Sequence, residues 1–83
     1  MEVYPNPTSD VVNIKFSLLR PEYTKITITN SLGQELAVVM DKYCNNSEYI
    51  VDEIDVSTLP VGTYYVTLTS GQISITKVFT VVR

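Results

Sequence analysis

Apolar and polar residues alternate along almost the whole of this chain, and β-branched and aromatic side chains dominate the apolar positions. A strand turns alternate residues to opposite faces, whereas a helix needs apolar residues three and four apart. The alternation therefore predicts strands throughout. The nearest thing to a helical stretch, residues 34–40, still places Leu36, Val38 and Met40 on one face at strand spacing.

The strands can be placed one by one. Glu2 to Tyr4 is a short opening strand, closed by Pro5-Asn6-Pro7. Two prolines remove two backbone donors, so that segment cannot lie inside a sheet. Val12, Ile14 and Phe16 form the inward face of a second strand, and Ile26 and Ile28 that of a third. Asn30-Ser31-Leu32-Gly33 reads as a hairpin turn, with Gly33 at a positive-φ position. A fourth strand runs from Gln34 to Met40, and the polar stretch from Asp41 to Ser47 reads as a loop. The fifth strand, Glu48 to Ile54, has an ambiguous phase: Tyr49 and Val51 compete with Ile50 and Ile54 for the core.

Asp55 to Gly62 reads as a crossover that buries Val56 and Leu59 and is bent by Pro60 and Gly62, the latter expected at positive φ. In the sixth strand, Thr63 to Thr69, Tyr64, Val66 and Leu68 point inward. Ser70-Gly71 makes a tight hairpin into the last strand. There Ile73, Ile75, Phe79 and Val81 share a face that Lys77 interrupts. Either a β-bulge near Thr76–Val78 turns Lys77 outward and Val78 inward, or Lys77 lies at the sheet rim with its amine in water.

Seven short strands with frequent turns predict an all-β fold, a seven-stranded antiparallel immunoglobulin-like β-sandwich, with a six-stranded barrel as its competitor. At 83 residues the chain is one domain. Its single cysteine, Cys44, permits no internal disulfide and reads as a surface or half-buried thiol; the alternative is an intermolecular bridge or a reactive thiol. No apolar run is long enough to span a bilayer, so the chain is read as not membrane-spanning.

Several kinds of chemistry are excluded by what the chain lacks. It contains no histidine, so Ser-His-Asp and Cys-His sites cannot be built, and zinc has no ligand set. It has no glycine-rich phosphate loop. The net charge is −3, and Lys15, Arg20, Lys25, Lys42, Lys77 and Arg83 are scattered singly. Nucleic acid requires clustered cations and is not an expected partner. Asp52, Glu53 and Asp55 form the one acidic cluster; it reads as a solvated edge ahead of a calcium site or a catalytic pair. Asn45-Asn46-Ser47 fits a glycosylation sequon but is read as chance. The adjacent Tyr64 and Tyr65 point to opposite faces, and Tyr4, Tyr23, Tyr43 and Tyr49 fall on four segments, so packing is preferred to a sugar platform. The chain is read as a non-enzyme without cofactor or metal.

Five blocks then occur in order. They are Val3-Tyr4-Pro5-Asn6-Pro7, Val12-Asn13-Ile14, Leu32-Gly33-Gln34-Glu35-Leu36, residues 55–66 (Asp-Val-Ser-Thr-Leu-Pro-Val-Gly-Thr-Tyr-Tyr-Val), and Gly71 with Thr76-Lys77-Val78. Together they resemble the C-terminal sorting domain of the type IX (Por) secretion system of Bacteroidetes, over essentially the whole chain. Asn30-Ser31 departs from the apolar-acidic pair usual before the Leu-Gly turn, and Arg83 stands where lysine is common.

The resemblance implies that residues 1–83 are a single C-terminal sorting domain, excised from a larger secreted protein, with Met1 an added start. The cargo would cross the inner membrane by an upstream signal peptide. From the periplasm the domain would direct it through the outer-membrane translocon with the help of shuttle proteins. A cell-surface sortase usually removes the domain, and the cargo is anchored at the surface or released outside the cell. An adhesion or carbohydrate-binding sandwich acting after secretion is the competing function.

The residues expected to carry recognition are those of the last strand: Lys77, Val78, Phe79, Thr80, Val81, Val82 and Arg83. Cations on an apolar edge strand suit pairing with a partner's sheet. Tyr4, Pro5, Asn6 and Pro7 are expected to form a rigid opening turn. Gly33, Leu59, Pro60, Gly62 and Tyr64 are expected to be structural.

Overall fold

A computed structural model describes all 83 residues. Seven strands follow one another without a helix: β1 (Glu2–Tyr4), β2 (Val11–Ser17), β3 (Glu22–Asn30), β4 (Glu35–Cys44), β5 (Glu48–Asp55), β6 (Gly62–Ser70) and β7 (Ile73–Val81). They form a three-stranded sheet in the order β1-β2-β5 and a four-stranded sheet in the order β4-β3-β6-β7. Every strand pair is antiparallel. The two separate sheets make this a sandwich and not a closed barrel. In the constant immunoglobulin arrangement the fourth strand flanks the strand that follows it; here β4 joins β3 in the larger sheet.

The core lies between the sheets and follows the alternation. Val12, Ile14 and Phe16 of β2 meet Ile26 and Ile28 of β3, Tyr64, Val66 and Leu68 of β6, and Phe79 and Val81 of β7, with Val56 closing one end. Burying each of these side chains is worth about 1.5–3 kcal/mol before the entropy of ordering is subtracted. Phe16 stacks on Tyr49 with ring centroids 5.3 Å apart, and Tyr64 stacks on Phe79 at 5.6 Å.

A bulge accounts for the ambiguous phase of the fifth strand. On β5 the register against β2 shifts between Val12 and Ile14. Glu53 takes a left-handed conformation (φ 52°) at that shift, and its N–H donates to Asn13 Oδ1 at 2.8 Å. The extra residue flips the phase, so Tyr49 and Val51 before it and Ile54 after it all pack on the core. Ile50 is left exposed.

Two further shifts on β4 overturn the single face expected for Leu36, Val38 and Met40. Val39 and Met40 reach the core, while Leu36 and Val38 stay exposed. The strand continues through Asp41 to Cys44, where a loop was expected, because each of these residues pairs with β3. Cys44 is fully buried instead of lying at the surface, with its thiol 3.7 Å from Met40 Sδ.

Gly33 has φ 83° and closes the β3–β4 turn, in which its N–H donates to the Asn30 carbonyl at 3.0 Å. Gly62 does not have the positive φ expected of it. It opens β6 as ordinary strand, and a Cβ there would meet nothing nearer than the Tyr64 ring at 4.0 Å.

Candidate recognition site

The strand expected to carry recognition, β7, is built into the molecule on both edges over its C-terminal half. On one side it pairs with β6 from Gly62↔Val81 to Ser70↔Ile73 without a break. That continuous register removes the bulge expected near Thr76–Val78. Lys77 therefore keeps the inward-facing parity of Phe79 and Val81, yet it is exposed, as is Val78 on the opposite face.

On its other side, β7 is held by the segment after β1. Peptide bonds Tyr4–Pro5 and Asn6–Pro7 are both cis. Neither proline has an N–H to offer, and the Asn6 side chain supplies what the backbone lacks. Its Nδ2 donates to the Val78 carbonyl at 3.1 Å, and its Oδ1 accepts from the Thr80 N–H at 3.0 Å. The amide thus imitates one peptide group of a neighbouring strand. Thr8 continues the pairing in parallel with Val81. Its N–H donates to the Thr80 carbonyl and its carbonyl accepts from the Val82 N–H, both at 2.9 Å. The Thr8 hydroxyl donates to the Val11 carbonyl.

These four bonds occupy the outer edge of β7 from Val78 to Val82, so that stretch is not a free edge. The Pro-Asn-Pro motif is more than a turn: it is a strap along the last strand.

Arg83 is engaged as well. Its guanidinium donates to the carbonyls of Leu59 at 2.6 Å, Ser57 at 2.7 Å and Val56 at 3.1 Å. It thereby pins the crossover that carries the Leu59-Pro60 motif. Within that crossover the Tyr64 hydroxyl donates to the Pro60 carbonyl at 2.6 Å, and Leu59 packs half-buried against the core. Asp55 Oδ1 accepts from the Ser57 hydroxyl at 2.6 Å and the Ser57 N–H at 2.9 Å. These two donors, the hydroxyl foremost, hold the Asp55 carboxyl below its usual range.

Of the seven residues from Lys77 to Arg83, Phe79 and Val81 are fully buried and Thr80 is half-buried. Lys77, Val78 and Val82 present side chains that are both exposed and unengaged. Sequence reasoning missed the roles of Asn6, Thr8 and Arg83. The one hint was an asparagine between two prolines, which leave the segment short of two backbone donors.

The outer face of the larger sheet carries a second feature. Tyr23 and Tyr43, assigned to separate segments, are direct cross-strand partners, and both are exposed. The Tyr23 hydroxyl donates to Asp41, and that bond, with lesser effects from desolvation and the carboxylate charge, raises the phenol above its usual pKa. Asp52, Glu53 and Asp55 do not converge with a further ligand into a group able to hold a metal ion.

The model of the family described as the secretion system C-terminal sorting domain matches residues 2–82. The chain belongs to this family. No curated protein and no solved structure matches it. As a sorting domain of the type IX system, it functions in secretion, is tied to that system's machinery, and is exported toward the outer membrane or cell surface. No helix in it is long and apolar enough to cross a membrane.

Proposed function

We propose that residues 1–83 are the C-terminal address of a longer secreted protein. The domain follows its cargo through the periplasm and presents it, with shuttle proteins, to the outer-membrane type IX translocon. A cell-surface sortase then removes the domain as the cargo is anchored. The domain acts as a ligand and not as a catalyst, and it takes no cofactor. The observation that carries this reading is the family match over residues 2–82. Among residues 77–83, the side chains of Lys77, Val78 and Val82 are exposed and have no partner within the fold, which supports them as the contact surface.

The test is a fusion of a signal peptide, a fluorescent protein and residues 2–83, expressed in a bacterium that has this secretion system. The intact fusion reaches the surface or medium. A fusion carrying Lys77→Ala, Val78→Thr and Val82→Thr folds normally and accumulates in the periplasm. Retention of the intact fusion in a competent host refutes the sorting role. Normal export of the variant moves recognition off the last strand.

The cross-strand pair Tyr23 and Tyr43 favours one second reading, a carbohydrate-binding or adhesion module. Exposed aromatic faces beside a carboxylate suit stacking and hydrogen bonding to sugars. Binding to a glycan panel that disappears in Tyr23→Ala/Tyr43→Ala, with export unchanged, would select that reading.

A further inference from the structure

The two sheets do not cover each other completely. β1 pairs with β2 only over Glu2↔Lys15, Val3↔Ile14 and Tyr4↔Asn13. β2 itself continues through Phe16 and Ser17, which are paired with β5 on the other side. The Leu18 N–H donates to the Ser47 carbonyl on the β5 side. Backbone groups alternate in direction along a strand, so those of Ser17 point to the side where β1 has already ended.

Across from this gap lies the first half of β7. Ile73 and Ile75 have the inward parity of Phe79 and Val81, but they are 57% and 37% exposed where Phe79 and Val81 are fully buried. Between them opens a groove of ≈ 790 Å³ whose lining includes Ser17, Leu18, Leu19, Leu68, Ile73 and Ile75. β1 reaches no further along the smaller sheet at this point.

We propose that the groove seats the polypeptide that precedes position 1 in the longer chain, running as a continuation of β1 along β2. The proposal rests on the reading of this domain as the C-terminal part of a longer chain. Three observations select this occupant. The β1–β2 register places the residue directly before Met1 opposite Ser17. Met1 and Val3 both pack on the core, so alternation sends the second and fourth upstream residues into the groove. A strand from another molecule would have to end against Met1, whereas a continuous strand enters with no loop to close. The occupant is thus an extended segment that is apolar at every second residue, in phase with Met1 and Val3.

The experiment compares two extensions of equal composition placed directly before Met1. In phase, Thr-Val-Thr-Ile-Thr puts Ile and Val into the groove. Out of phase, Thr-Thr-Val-Thr-Ile puts threonine there. The in-phase chain is expected to melt about 4–8 °C higher than the out-of-phase chain and to slow exchange of the Ser17 amide at least about tenfold. Ile75→Ser in the in-phase background removes the difference between phases. Equal melting temperatures for the two phases overturn the proposal. A gain that depends on protein concentration, with dimers by light scattering, overturns it in favour of a second copy. No readout depends on export, so failure of the sorting role and failure of this inference are separate results.

Discussion

Asn6 shows how much one side chain can do where two flanking prolines remove backbone donors. Flanked by Pro5 and Pro7, it offers both halves of its amide to β7, 72 and 74 residues away in sequence. Each such bond is worth about 0.5–1.5 kcal/mol net. Asn6→Ala is therefore expected to cost about 1–3 kcal/mol, read as a fall in the urea midpoint with an unchanged slope. An unchanged midpoint would mean that water replaces the amide without loss. The sequence showed that the Pro-Asn-Pro segment stands outside any regular ladder, because missing N–H groups can be counted from composition. It did not show where Asn6 reaches, since a contact so distant in sequence leaves no local pattern. Arg83 is the same case. A terminal cation reads as available to a partner until three carbonyls of the crossover are seen around it.

Periodicity specified which strands exist but not where they slip, and the three bulges of β4 and β5 mark that boundary. A bulge depends on one backbone conformation and one cross-strand bond, such as Glu53 with Asn13. Neither has a two-residue repeat. The apparent conflict among Tyr49, Val51 and Ile54 was the signature of a bulge, because all three could be buried only if the phase changed between them. The glycines divide on the same physical ground. Gly33→Ala forces a Cβ into the left-handed region and is expected to cost about 1–2 kcal/mol. Gly62→Ala, in ordinary strand geometry with room for a methyl group, is expected to change stability by less than about 0.5 kcal/mol. Thermal melts of the two variants check the pair, and equal losses would contradict the assignment of Gly62.

At the scale of the molecule, the sandwich and nearly all of its core were legible, since inward positions on β2, β3 and β6 follow strict alternation. The open half of β7 was not, because exposure there depends on how far β1 extends on the opposite sheet. The last strand is inseparable from the fold. Removing residues 77–83 deletes Phe79 and Val81, both fully buried, and with them the ring stacked on Tyr64. Loss of a buried Phe alone costs about 3–5 kcal/mol, against roughly 4–12 kcal/mol for a whole domain of this length. The truncated domain is expected to lack strand signal in far-UV circular dichroism at 25 °C. A folded truncation would show that the remaining strands form a core without β7. Export assays should accordingly use point substitutions in place of deletions. The strap and β7 also run parallel, as Thr8 with Val81 shows. Tension applied between the two ends of the domain drags such neighbours in opposite directions along their length. The four bonds of Asn6 and Thr8 then share the load in shear and do not peel apart one after another, so the contact that closes the sheet edge is also a mechanical clasp.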